Sequence, residues 1–199
     1  MANAFTTIAL IGKYKSPEIA EPLLELSRFL QNRGVRVLLD PLTAAHVARS
    51  SLEVLPLEEA GRLSDLAIVI GGDGTMLNIA RTLAPYDVPV VGVNQGRFGF
   101  LTDISVHTML QTIGDMLDGN FVTEARMLLA CQLVRGEEQV LDVLALSLLV
   151  SSLLMPRPNQ SRGYCAYNAC RNAVLQIEEV QQVALKLVRP QMGTRRCVN

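Results

Sequence analysis

One short loop combines residues suited to binding phosphate with a residue suited to moving a proton. It reads Gly71-Gly72-Asp73-Gly74-Thr75 and is called the glycine loop below. Three glycines let the backbone turn tightly and bring its N–H groups close to an anion. The loop lacks the lysine of a Walker A motif, and Leu77 stands where a G-x-G-x-x-G motif has its third glycine. We therefore expect its contacts with phosphate to differ from those of a Walker A motif and from those of a G-x-G-x-x-G motif.

Asp73 stands in the middle of this loop, where a carboxylate would repel a bound phosphate. Three roles would account for an acidic residue at this place. It could accept or orient the proton of an attacking hydroxyl, hold Mg²⁺ against the phosphates, or cap the helix that follows. The residue types alone leave all three roles open.

The surrounding pattern predicts elements that place the loop at one edge of an open α/β sheet. Strands are predicted over residues 6–11, 35–39, 66–70 and 88–93, and helices over residues 16–32, 58–64, 76–83 and 106–117. Their alternation predicts a Rossmann-like open parallel sheet in an N-terminal domain over residues 1–120. The glycine loop then lies at the carboxyl end of a buried strand and before a helix, which is where such sheets bind ligands.

The pattern changes to hairpin-like strands from residue 121. Stretches 127–134 and 139–146 flank a turn at Gly136, which predicts the first strands of an incomplete β-rich second domain over residues 121–146. Residues 147–199 differ from both parts: they hold 7 Lys and Arg against 2 Asp and Glu, whereas residues 1–146 hold 11 against 17. We interpret residues 147–199 as a possible frameshift product, the alternative being a genuine region with an amphipathic helix over 174–189.

Two segments of the chain resemble the NAD kinase family of bacterial type. The first is the glycine loop with its continuation Met76-Leu77-Asn78-Ile79-Ala80-Arg81, and the second runs from Gly92 to Asp103 and is similar to the family's Asn-x-Gly-x-x-Gly-Phe-Leu segment. The resemblance covers about residues 5–146. The Asn-Asp or Asn-Glu, Arg-x-Asp-Gly and Pro-Thr-Gly-Ser-Thr-Ala-Tyr segments of the family have no counterpart in residues 147–199.

The resemblance implies phosphoryl transfer from ATP, or from polyphosphate, to the 2′-hydroxyl of the adenosine ribose of NAD, which gives NADP. It implies Mg²⁺ or another divalent cation beside the phosphates, and a homo-oligomer. Asp73 would be the catalytic proton acceptor. The expected contacts with NAD are Asp73, Gly74, Asn94 and Phe100, and those with phosphate are Gly71, Gly72, Gly74 and Thr75.

Two other functions stay open beside this one. An inactive nucleotide-binding remnant would follow if residues 147–199 supply none of the missing site. A lipid or sugar kinase would follow if only the glycine loop, and not the substrate, is shared with the NAD kinases. Read without the family, Phe98 and Phe100 are more often apolar residues that fill a core than contacts of a ligand.

Composition excludes several classes of protein. The chain is 49% apolar and 19% charged with a net charge of −1, which is typical of a globular protein and gives no basic field for nucleic acid. The longest apolar-rich run, over residues 143–155, is too short to span a membrane. The four cysteines have no C-x-x-C spacing, and neither His46 nor His107 lies in a metal-binding spacing. We therefore expect a cytoplasmic protein with free thiols and no protein-bound metal cluster.

Overall fold

The computed structural model describes residues 3–14, 16–47, 52–96, 99, 101–102, 104–135, 138–146, 174–176 and 183–190. The chain divides into two compact units. The first is formed by Met1–Ala125 and Lys186–Asn199, and the second by Arg126–Leu185.

The first unit is built on a sheet of strands that are connected by helices. Its strands are β1 (Thr7–Gly12), β2 (Arg36–Leu39), β3 (Glu53–Val54), β4 (Leu66–Ile70), β5 (Val90–Asn94) and β6 (Ile104–Ser105). Its helices are α1 (Ala20–Asn32), α2 (Pro41–Ala44), α3 (Leu57–Leu63), α4 (Asp73–Leu83) and α5 (Met109–Leu117). Of the helices in the described ranges, none is long and apolar enough to cross a membrane.

The strands of this sheet lie in the order β3-β2-β1-β4-β5, and β6 also pairs with β5. All of these pairs are parallel. The chain builds outward from β1 to β3 and then returns to place β4 on the other side of β1. This is the doubly wound arrangement, and the predicted open parallel sheet is confirmed.

Helices cover both faces of the sheet, because its central strands are apolar on both sides. All five residues of β4 are buried, as expected for a strand of continuous apolar residues. Ile8 and Leu10 of β1 belong to the core cluster that includes the buried residues of α1 and α5. Met76 and Ile79 of α4 are fully buried outside that cluster, in the layer where α4 packs against α3, β4 and β5.

Helices α2 and α4 and strands β3 and β6 differ from the sequence prediction. Helix α4 begins at Asp73 rather than at residue 76, because the extended residue Gly72 acts as its N-cap. Helix α2 was not expected: Pro41 is its first residue, and the buried Asp40 carboxylate accepts hydrogen bonds from Leu42 N–H at 3.0 Å and Thr43 N–H at 3.4 Å. Strands β3 and β6 are two residues each, which is too short to show a period.

In the described ranges after α5 the strands are β7 (Phe121–Arg135), β8 (Glu138–Leu146), β9 (Val174–Gln176) and β10 (Val183–Pro190). The expected hairpin is present, since β7 pairs antiparallel with β8 from Leu128↔Leu146 to Arg135↔Glu138. The helix considered over 174–189 is wrong, because β9 and β10 occupy part of that range and β9 pairs with β7. Val183, Leu185 and Leu187 follow the two-residue period of a strand, whereas Val183, Ala184 and Leu187 fit a helical spacing.

Candidate active site

The glycine loop leaves the sheet at the end of β4 and enters α4 within two residues. Gly71 N–H donates to Val93 O of β5 at 2.9 Å, so Gly71 is still tied to the sheet. Gly72 is extended, with φ −101° and ψ −178°. The first hydrogen bond of α4 runs from Met76 N–H to Gly72 O at 3.0 Å. The chain therefore turns from strand to helix in one step, with Asp73 in the first turn of the helix.

The backbone N–H groups at the start of α4 are the part of this turn that is suited to an anion. Those of Gly74 and Thr75 precede the first helical hydrogen bond, so they have no acceptor within the helix. Gly74 is exposed, while Asp73 and Thr75 are half-buried, so a ligand can approach this turn. The positive end of the helix dipole adds to the attraction for an anion. Because the Gly71 N–H is used by the sheet, N–H contacts to phosphate would come from the residues after it.

The Asp73 carboxylate is held by groups from a distant part of the chain. Its Oδ1 accepts hydrogen bonds from Leu101 N–H at 3.1 Å and from the Thr102 hydroxyl at 3.2 Å. The donors lie 28 and 29 residues further along, in the segment after β5. The N-cap position itself belongs to Gly72. The described contacts of Asp73 thus orient its carboxylate relative to the sheet as well as to its own helix.

Asn94, the last residue of β5, is hydrogen-bonded to Thr102. Its Nδ2 donates to the Thr102 hydroxyl at 2.9 Å, and its Oδ1 accepts from Gly96 N–H at 2.8 Å. Asn94 is 5% exposed and Thr102 is fully buried. A chain of hydrogen bonds therefore runs from Gly96 through Asn94 and Thr102 to Asp73.

Two glycines make room for this chain of hydrogen bonds. A Cβ on Gly92 of β5 would lie 2.6 Å from Thr102 Cγ2 and 3.1 Å from Thr102 Cα. A Cβ on Gly99 would lie 2.6 Å from both Asp73 Cγ and Thr102 Oγ1, and closer still to Asp73 Oδ1. Neither position has space for a side chain. Thr102 therefore packs directly on the β5 backbone, and Asp73 directly on the backbone at Gly99.

The end of β1 contributes a second group of polar residues to the same edge of the sheet. Lys13 N–H donates to Ile70 O at 2.9 Å, and the Lys13 side chain is exposed. Burial, and next the negative charge of the nearby Asp40 carboxylate, raise the pKa of Tyr14 to about 12. The Tyr14 phenol is therefore protonated at neutral pH. Lys15 lies outside the described residues.

The structure brings together most of the residues singled out in the sequence. The five residues of the glycine loop and Asn94 lie at neighbouring strand ends, while Phe100 lies outside the described residues. Sequence reasoning missed Gly99, the Leu101 N–H and Thr102 as partners of Asp73. All three are part of the second family-like segment, but nothing in its residue types indicates which of them contacts the glycine loop. Within the described ranges, His46 and His107 join no group of three metal-binding side chains.

The strand order and the loop together define a class of protein. In doubly wound α/β proteins, ligands bind at the carboxyl ends of the strands, where the strand order reverses. Here that reversal lies between β1 and β4, and the glycine loop directly follows β4. By these features the chain is a doubly wound α/β protein whose glycine loop occupies the ligand-binding position of such sheets.

Comparison with known proteins identifies the family within that class. A family model described as the ATP-NAD kinase N-terminal domain matches residues 8–121. The NAD kinase of Nitrosomonas eutropha is 57% identical over 144 residues, 72% of this chain and 49% of that protein. The NAD kinase of Nitrosospira multiformis is 55% identical over 147 residues, 74% of this chain and 50% of that protein. The chain belongs to the ATP-NAD kinase family.

A solved structure supports the fold. The crystal structure of yeast NADH kinase complexed with NADH matches with a TM-score of 0.59 at 18% identity, over 72% of this chain and 47% of that one. At this identity the match concerns the fold alone. The chain spans about half the length of the curated relatives it matches.

Proposed function

We propose that the glycine loop and Asp73 serve phosphoryl transfer from ATP, or from polyphosphate, to the 2′-hydroxyl of the adenosine ribose of NAD, forming NADP. The observation that carries this proposal is the Asp73 carboxylate, held by Leu101 and Thr102 within the first turn of α4. A proton acceptor and a set of N–H donors for phosphate thereby lie within one helical turn. Membership of the ATP-NAD kinase family supports the same assignment.

In the proposed reaction, Asp73 removes the proton as the ribose hydroxyl becomes a nucleophile. The hydroxyl oxygen attacks the γ-phosphorus of ATP, the bond from that phosphorus to the β,γ-bridging oxygen breaks, and ADP leaves. Such transfer depends mainly on positioning and on neutralising phosphate charge. Asp73 and Gly74 contact the dinucleotide, with Asn94 and Phe100 as further contacts. The backbone of Gly72, Gly74 and Thr75 lies along the phosphates, while Gly71, whose N–H is bonded to Val93 O, stays tied to the sheet.

A divalent cation would enter this site as part of the substrate. The described residues contain no group of three His, Cys, Asp or Glu side chains that could hold a metal ion. Mg²⁺ binds proteins through as few as one carboxylate when phosphates supply other ligands. We therefore assign the cation to Mg–ATP, where it would neutralise charge on the phosphates.

An Asp73→Asn substitution tests the proposed role of the carboxylate. Asparagine keeps an oxygen that can accept the hydrogen bonds from Leu101 and Thr102 but cannot take the proton. Loss of a positioned general base lowers the rate by about 10²–10⁴-fold. We expect NADP formation by the purified 199-residue chain, measured with an NADP-specific dehydrogenase, to fall by that factor in Asp73→Asn.

Asp115→Asn is the matched control, because Asp115 is exposed on α5, away from the site. Equal activity of the wild type and Asp73→Asn would remove Asp73 from its proposed role. If the wild type binds NAD in equilibrium dialysis without forming NADP, the chain is a nucleotide-binding remnant. If it phosphorylates a diacylglycerol or fructose 6-phosphate and leaves NAD unchanged, the lipid or sugar kinase alternative is correct.

A further inference from the structure

We propose that Thr102 is a positioning residue that holds the Asp73 side chain in one rotamer by passing a hydrogen bond from Asn94 to the Asp73 carboxylate. The importance of that rotamer for turnover rests on the function proposed above, whereas the rotamer itself can be measured without turnover. Thr102 lies outside the glycine loop. Of the two described hydrogen bonds to the Asp73 carboxylate, the one from Thr102 is donated by a side chain.

The direction of the hydrogen bonds follows from the Asn94 amide. Gly96 N–H is a donor, so the Asn94 atom that accepts it at 2.8 Å is the carbonyl oxygen Oδ1. The Asn94 NH₂ group must then face Thr102, to which it donates at 2.9 Å. A backbone N–H thus fixes the orientation of an amide that is otherwise ambiguous.

The Thr102 hydroxyl can donate only one proton. Because its oxygen already accepts the hydrogen bond from Asn94, that proton is directed to Asp73 Oδ1, 3.2 Å away. Hydrogen bonds in such a chain polarise and strengthen one another. The fully buried position of Thr102 keeps water from competing for either bond.

Packing fixes the hydroxyl in the place where it can act. The Thr102 methyl group lies against the β5 backbone at Gly92, where a Cβ would be 2.6 Å from it. On the other side, the backbone at Gly99 leaves no room for Asp73 Oδ1 to move toward it. The Asp73 carboxylate is therefore confined by a hydrogen-bond donor and by a backbone wall.

Substitution of Thr102 by an isosteric residue tests the proposal directly. Thr102→Val keeps the shape and removes the hydroxyl, whereas Thr102→Ser keeps the hydroxyl. The Asp73 rotamer is measured in isotope-labelled chain from the three-bond couplings of Cγ to the backbone nitrogen and carbonyl carbon. We expect single-rotamer couplings in the wild type and Thr102→Ser, and averaged couplings in Thr102→Val.

Thr82→Val is the matched control, because Thr82 lies on α4 with its hydroxyl bonded to Asn78 O of the same helix. It should keep the wild-type couplings of Asp73. Averaged couplings in Thr82→Val, or unchanged couplings in Thr102→Val, would overturn the proposal. If Thr102→Val does not fold, Thr102→Cys replaces the hydroxyl by a weaker donor of similar size, and the same couplings decide.

A second pair of variants tests the confinement from the opposite side. Gly99→Ala places a methyl group where Asp73 Oδ1 lies and should shift Asp73 to another rotamer. Gly96→Ala keeps its N–H and adds a methyl group in open space, so the Asp73 couplings should not change. A wild-type rotamer in Gly99→Ala would contradict the packing of Asp73 described here.

The effect on turnover is separate from the effect on the rotamer. A displaced reacting group can cost about 100-fold in rate, so Thr102→Val should lower kcat by roughly that factor and leave the KM for NAD almost unchanged. A wild-type chain that shows the single rotamer but no NADP formation would count against the proposed function and leave the role of Thr102 supported. A rise of about 100-fold in the KM for NAD, with no change in kcat, would overturn the positioning role of Thr102.

Discussion

Asp65 is a second carboxylate whose ionised form matters, in this case for the stability of the sheet. It lies just before β4, and its Oδ2 accepts hydrogen bonds from Thr6 Oγ1 at 2.6 Å, Thr6 N–H at 2.8 Å and Thr7 N–H at 3.0 Å. The Thr6 hydroxyl, and then the two backbone N–H groups, lower the pKa of Asp65 below its ordinary value of 3.8. One carboxylate thus joins the beginnings of β1 and β4.

The lowered pKa of Asp65 gives stability a defined dependence on pH. Its contribution is fully present above pH 3.8 and is lost as the pH falls through the lower folded-state pKa. We expect Asp65→Asn to lower the free energy of unfolding by about 1 kcal/mol at neutral pH, a value that allows for the exposure of Asp65. Urea unfolding should show the difference from the wild type shrinking as the pH falls below 3.8.

Asp115→Asn on α5 serves as the control for this experiment, because it changes the same charge at an exposed site. A difference between Asp65→Asn and the wild type that stayed constant down to pH 2 would contradict the role of the ionised carboxylate.

Strand β5 needs a glycine at position 92 because Thr102 packs against it, and not because of the backbone conformation of the strand. A Cβ at this position would approach the Thr102 backbone as well as its side chain, and backbone atoms cannot simply turn away. Inserting atoms into a packed core typically costs about 1–3 kcal/mol. We expect Gly92→Ala to lower the free energy of unfolding by that amount, measured by urea unfolding.

Gly96→Ala, two residues beyond the end of β5, is the matched control. A Cβ there meets nothing within 4 Å, so its unfolding midpoint should stay close to that of the wild type. Equal unfolding midpoints for Gly92→Ala and the wild type would show that the backbone around Thr102 moves to make room for the Cβ without loss of stability.

The elements that could be predicted from sequence are those whose pattern is long or strongly punctuated. Strand β4 was predicted with its observed bounds, since its five consecutive apolar residues are followed directly by two glycines. Strands β3 and β6 could not be predicted, since two residues show no periodicity. The helix considered over 174–189 is wrong because Val183 and Leu187 fit a helical spacing as well as the period of a strand.

The candidate site could be predicted only as far as its residues are local in sequence. The glycine loop was found because its five residues are consecutive. The hydrogen bond from Thr102 to Asp73 spans 29 residues, and its existence depends on how the segment after β5 packs on Gly92 and Gly99. Residue types in a motif do not specify such a contact.

The whole chain joins two segments of opposite charge. Residues 1–146 carry a net charge of −6 and residues 147–199 a net charge of +5, and no Asp follows Asp142. We propose that residues from about 147 onward arise from a break in the reading frame. Such a break changes composition abruptly, whereas a domain boundary within one reading frame need not.

The gene sequence tests this proposal. Translation downstream of codon 146 in the other two frames should give an Asn-Asp or Asn-Glu pair, followed by a Pro-Thr-Gly-Ser segment. The same translation upstream of that codon is the control and should give neither. If no frame yields these segments downstream, residues 147–199 are a genuine region of the protein.

The distance along the chain between Asp73 and its donors also has a consequence in time. A ribosome that has just added Asp73 must add 28 more residues before Leu101 exists and 29 before Thr102 exists. At about 5–20 residues per second this takes roughly 1–6 seconds. From the addition of Thr75 onward the nascent chain carries a complete glycine loop, but until Leu101 and Thr102 are added its carboxylate has neither of these two donors to orient it.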